Sequence, residues 1–246
     1  MATPHSEEHG HSPAAIRARL AAGPRHNYLR DWVYGGIDGA VTTFAVVSGV
    51  VGAGLSPGVI LVLGAANLVA DGFSMAASNY LGTKAEREDM AKLAAIERRH
   101  VEAFPAGERE EVRQIFEAKG LRGRDLTRVV EAITADPTMW IRTMLAEEYG
   151  LPRAVRSPWL AALATFAAFV ACGLVPLAPF LVGSAAAFWL AAGATGGVFF
   201  VIGSVKSRWS TARWWKSGLE TLLVGATASG LAYWVGGLLR SLAQAG

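Results

Sequence analysis

Five long apolar runs, at roughly residues 32–54, 58–82, 158–180, 183–205 and 217–239, dominate this chain. A bilayer offers no water to backbone N–H and C=O groups, so a spanning segment of about 20 apolar residues must satisfy them internally as a helix. Five such runs predict an all-α integral membrane protein with five transmembrane helices. Composition agrees: 52% of residues are hydrophobic and only 17% charged. Cys172 is the sole cysteine and lies inside the third run, which rules out a disulfide framework or a thiolate cage within one chain. Residues 1–27 hold no apolar core of signal-peptide length and read as a flexible, histidine-containing tail.

Charge orders the runs. Of the 23 Lys+Arg and 20 Asp+Glu, residues 85–153 hold 12 and 14, so that stretch is net acidic and the basic excess behind the net charge of +3 lies in the remainder. That basic excess flanks the apolar runs (Arg17, Arg19, Arg25, Arg30 before the first; Lys206, Arg208, Arg213, Lys216 between the fourth and fifth) and is not a nucleic-acid signal. By the positive-inside rule the N-terminus is expected in the cytoplasm and the C-terminus outside, with Trp209, Trp214 and Trp215 as interfacial anchors. The expected organisation is a tail (1–27), membrane helices 1 and 2 (28–84), a cytoplasmic helical module (85–153) and membrane helices 3 to 5 (154–246). No Gly or Pro interrupts residues 83–104, so the second membrane helix is expected to continue into the module. Short helices follow in GEREEVRQIFEAKG, RDLTRVVEAITAD and PTMWIRTMLAEEYG, the last opened by an Asp136–Pro137 cap.

The second run carries Asn67, Asp71, Met75 and Asn79 at four-residue spacing, hence on one helical face. Within the runs as drawn, the acidic residues are Asp38, Asp71 and Glu220. Burying an ionisable group in a bilayer costs at least about 2.5–3.5 kcal/mol on insertion scales, and such groups mark ion pathways, proton relays or internal pairs. Asp38 sits in YGGIDGAVTTF, whose glycines permit close helix approach. Two carboxylates, an amide oxygen and a thioether make a mixed hard and soft donor set that fits iron(II) or manganese(II). The plainer readings are Met75 as packing and the asparagines as interhelical hydrogen bonds. For Glu220, the plainer reading is a carboxylate snorkelling towards Lys216 and Arg213. Paired intramembrane aspartates are also the requirement of aspartyl proteolysis, but the acids of the soluble module have no use there, and no enzyme is expected.

In the module, Glu97/His100, Glu108/Glu111 and Met144/Glu148 each place two donors on one helical face. Taken singly such pairs are weak, since charged helix faces are usually just solvated. Divalent binding requires deprotonated carboxylates, so metal and proton compete for Asp38 and Asp71. The tail adds His5, His9 and His11 beside Glu7 and Glu8, either a weak metal-catching tract or an inert tail.

Four segments, IDGAVTTFAVVSGV, LVADGFSMAASNYL, EREEV and MWIRTMLAEEYGL, resemble the vacuolar iron transporter family over nearly the whole chain beyond the tail. The resemblance implies five membrane helices per protomer and a homodimer with its ion path between subunits. It also implies proton-driven export of iron(II), with manganese(II) accepted, and a cytoplasmic metal-binding module. No cofactor is implied beyond the transported ion. Asp38 and Met75 match the family's membrane metal site; Glu97, Glu108, Glu111, Met144 and Glu148 match its module ligands. The chain departs at His100, where the family typically has glutamate, and at Asp71 and Asn79, where plant-type members carry small residues and a Gly-Glu pair. High Ala, Gly and Arg usage points to a bacterial plasma membrane. A membrane-anchored metal sensor without transport is the competing reading.

Overall fold

A computed structural model describes residues 10–22, 27–152 and 156–245, and every regular element among them is helical. The helices are α1 (Pro13–Ala22), α2 (Leu29–Gly52), α3 (Pro57–Ala103), α4 (Pro105–Ala118), α5 (Gly123–Thr134), α6 (Pro137–Glu147), α7 (Pro158–Gly173), α8 (Ala178–Leu181), α9 (Ala187–Lys206) and α10 (Trp214–Ala245). The chain divides into two compact units, one of residues 28–84 with 157–246 and the other of 1–27 with 85–156. The expected continuation of the second apolar run is present: α3 runs unbroken for 47 residues and contributes to both.

In the first unit α2, α3, α9 and Trp214–Leu242 of α10 are long and apolar enough to cross a membrane. The third run differs from its expected extent. Helix α7 stops at Gly173 after 16 residues, about 24 Å at 1.5 Å per residue. The chain then turns and adds the four residues of α8. Pro176 and Pro179 explain the break, because neither can donate the backbone hydrogen bond that would prolong α7.

Glycines set how closely α2 is held. A Cβ on Gly35 or Gly39 would lie 2.2 Å from the carbonyl oxygen of Thr165 or Phe169 in α7. At its other end, a Cβ on Gly52 would lie 2.4 Å from Tyr233 O of α10, and one on Gly236 would lie 2.2 Å from Gly49 O. Only residues without side chains permit such crossings. Around them Phe44, Val47, Val50, Ile60, Leu68 and Phe169 form a buried apolar cluster. Within this unit α3 buries Leu68 and Ala76 but exposes Val62, Val69, Phe73 and Leu81, each more than 60% accessible. Among the described residues of this unit, that apolar face has no partner.

The second unit builds its own small core. Val112 of α4, Leu126, Val130 and Ile133 of α5, and Trp140 and Met144 of α6 are buried together. The cap expected at α6 is present, with the Thr138 N–H donating to Asp136 Oδ1 at 2.9 Å. Helix α6 ends where Gly150 turns left-handed (φ +64°), and Leu151 N–H then donates to Leu145 O at 3.0 Å.

Candidate metal site and membrane carboxylates

The second unit gathers acids and one imidazole from two helices. A carboxylate oxygen each from Glu97 and Glu108 and a ring nitrogen of His100 lie within 4.8 Å of one another. Glu97 and His100 sit one turn apart on α3, and Glu108 enters from the first turn of α4, where the unsatisfied N–H groups favour an anion. His100 Nδ1 is 3.4 Å from Glu108 Oε1. Glu97 and Glu108 are 1% and 6% accessible, yet Glu97 Oε2 and Glu108 Oε2 have no hydrogen-bond partner. Burying a carboxylate oxygen without a partner is costly. Two of them beside an imidazole is a donor set that a divalent cation would satisfy.

Electrostatics extend the cluster. Burial first, then the neighbouring charges of Glu111 and Glu97, push the Glu108 carboxyl up to about 6. Glu148, just past α6, is likewise raised, by burial and by Glu97 and Glu111. Four expected module residues, Glu97, Glu108, Glu111 and Glu148, therefore share one field, and His100 partly offsets it. Met144 is fully buried in the apolar core beside Val112 and Trp140.

In the membrane unit, Asp38 of α2 and Asp71 of α3 are half-buried and close enough for the charge of one to act on the other. Thr42 Oγ1 donates to Asp38 O at 2.8 Å, and Asn67 Nδ2 makes a long 3.5 Å contact with Thr42 Oγ1. Met75, half-buried, packs on the cluster around Phe44 and Phe169. Asn79 leaves the stripe: its amide donates to Asp31 Oδ1 at 3.0 Å and to Thr165 Oγ1 at 2.7 Å, the interhelical role open to it from the sequence. Glu220 meets Lys206 at 3.7 Å, with its side chain 70% accessible, in place of the expected Lys216 and Arg213. His5, Glu7, Glu8 and His9 lie outside the described residues.

Two residues escaped the sequence reading. Asp31 fell one position before the first run as drawn, yet it lies in α2 and is 3% accessible. Its signal was there: Asp31, Gly35 and Gly39 repeat every four residues and so share the face that packs on α7. Tyr149, whose hydroxyl donates to Glu97 Oε1 at 2.9 Å, had no sequence signal, because folding alone brings together residues so far apart in the chain.

A multi-pass helical membrane protein carrying a helical unit with clustered carboxylates is the class these features define. The VIT family model matches residues 29–237, and the chain belongs to that family. It is 33% identical to a vacuolar iron transporter of Toxoplasma gondii over 87% of this chain and 75% of that protein. It is 30% identical to vacuolar iron transporter 1 of Arabidopsis thaliana (83% of each chain). With vacuolar iron transporter 1 of Eucalyptus grandis it shares 31% identity over 83% of this chain and 84% of that one. The family consists of transporters, which sets aside the proteolytic reading: the chain is not an enzyme.

Proposed function

We propose that this protein exports iron(II), and also manganese(II), from the cytosol in exchange for protons. The observation that carries the reading is the pair of buried, partnerless carboxylate oxygens on Glu97 and Glu108 beside His100. Hard oxygens with one imidazole suit a first-row divalent cation, and the names of the relatives point to iron. Cytosolic metal is collected at Glu97, His100, Glu108, Glu111 and Glu148, with the Met144 thioether as a soft donor. It then passes to Asp38, Asp71 and Met75 in the membrane. Because a carboxylate holds either a proton or the metal, Asp38 and Asp71 couple the two fluxes, provided the two conformations differ in affinity.

The protein acts as a homodimer, the exposed apolar face of α3 meeting its counterpart and placing Asp71 and Met75 near the shared path. It resides in a bacterial plasma membrane, N-terminus in the cytoplasm and C-terminus outside. Proteoliposomes containing a pH-sensitive dye test the exchange: iron(II) addition is expected to drive metal entry with opposed proton flux, and Asp38→Asn to abolish both. Metal entry with no pH change would overturn exchange. Metal binding with no entry at all would favour the membrane-anchored sensor.

A further inference from the structure

The soluble unit holds one tyrosine of the chain's five, Tyr149, and its phenol is engaged with the carboxylates. The left-handed turn at Gly150 ends α6 and fixes where this side chain leaves the backbone. The hydroxyl donates to Glu97 Oε1 at 2.9 Å, while Glu97 Oε2 stays buried and without a partner. A phenol has one proton to give. Occupying one oxygen of Glu97 stops the carboxylate from rotating and leaves the other as its free donor.

We infer that Tyr149 is a positioning residue that holds Glu97 in a one-oxygen binding orientation and thereby favours small first-row cations over calcium at this site. The inference rests on the reading of the soluble unit as a metal site. Calcium takes six to eight oxygens and commonly uses carboxylates through both; a Glu97 clamped through Oε1 offers only one. Hydrogen bonds of this kind to metal ligands typically change affinity by about 10–100-fold.

The test uses the full-length protein in detergent, titrated with cobalt(II) by calorimetry and visible absorption, with calcium(II) as competitor. Tyr149→Phe is expected to weaken cobalt(II) binding about tenfold or more, to alter the visible band and to shrink the preference for cobalt(II) over calcium(II). A merely structural tyrosine would leave the band and the preference in place at saturation, and that result overturns the inference. Glu108→Gln separates the two readings: if it binds cobalt(II) as the wild type does, the site itself is misplaced and the inference falls with it. Should the Phe variant fail to fold, the wild type still decides. Cobalt(II) is expected to perturb tyrosine ultraviolet absorbance in step with occupancy, and a flat tyrosine signal at saturation would sink the role of Tyr149.

Discussion

Asn79 on α3 donates its amide to the carboxylate of Asp31 on α2 at 3.0 Å, and the same amide reaches Thr165 Oγ1 on α7, so one side chain ties three membrane helices together. Its own carbonyl oxygen accepts from Thr83 Oγ1 at 3.4 Å. A hydrogen bond to a charged group contributes roughly 1.5–3 kcal/mol. Asn79→Leu should lower the thermal midpoint of the detergent-solubilised protein by a corresponding amount. Asn79→Asp should do worse at neutral pH, because it sets like charges side by side, and should recover on acidification.

Gly39 faces α7 with no room for a side chain, its imagined Cβ falling 2.2 Å from Phe169 O. Gly39→Ala must push the helices apart or bend one, a kind of overpacking that costs about 1–3 kcal/mol. Gly193, where a Cβ meets nothing within 4 Å, is the control. Thermal unfolding of the two alanine variants should show a clear loss for Gly39→Ala and little change for Gly193→Ala.

The Glu108 carboxyl is raised from 4.5 to about 6, chiefly by burial and then by Glu111 and Glu97. The folded state therefore binds this proton more tightly than the unfolded one. Its stabilising contribution is fully present below pH 4.5 and is lost as pH rises through about 6. The whole effect is about 2 kcal/mol, at 1.36 kcal/mol per pH unit. Subtracting the stability profile of Glu108→Gln from that of the wild type isolates it from His100 and Glu148. The difference should slope between pH 4.5 and about 6 and flatten above.

The same proton opposes metal. Affinity of the Glu97–His100–Glu108 cluster for manganese(II) should fall by up to about tenfold per pH unit below pH 6, with protons released on binding. Calorimetry in two buffers of different ionisation enthalpy measures that release. At neutral pH, saturating metal at about 100 times Kd should raise stability by about 2.7 kcal/mol, and chelator should reverse the gain. Glu97→Gln should remove the gain without lowering the stability of the metal-free protein.

The membrane helices were legible because hydrocarbon imposes a length and a composition that few other structures share. The break in the third run was less so: Pro176 and Pro179 were visible, but apolar residues on both sides masked the end of α7 at Gly173. The cap at Asp136 and the stop at Gly150 were local chemistry and could be placed from a few residues. Glu97, His100 and Glu108 could be paired on a helix face but not joined, because the approach of α4 to α3 depends on how Val112 packs with α5 and α6. Asp31 shows the other kind of loss. A window that seeks uncharged stretches will always trim a buried acid from the end of a helix, even when its partner, Asn79, is in plain view.

The glycine crossings of α2 bear on which parts of the membrane unit can move. Carbonyl oxygens of Thr165, Phe169 and Tyr233 already occupy the space where side chains would be, so sliding α2 by one residue would bring Tyr34 or Ala40 onto a main-chain atom. Helices α2, α7 and α10 are thus interlocked like the wards of a key. Any rearrangement that alternately opens a path to the two sides of the bilayer must therefore leave these main-chain crossings intact.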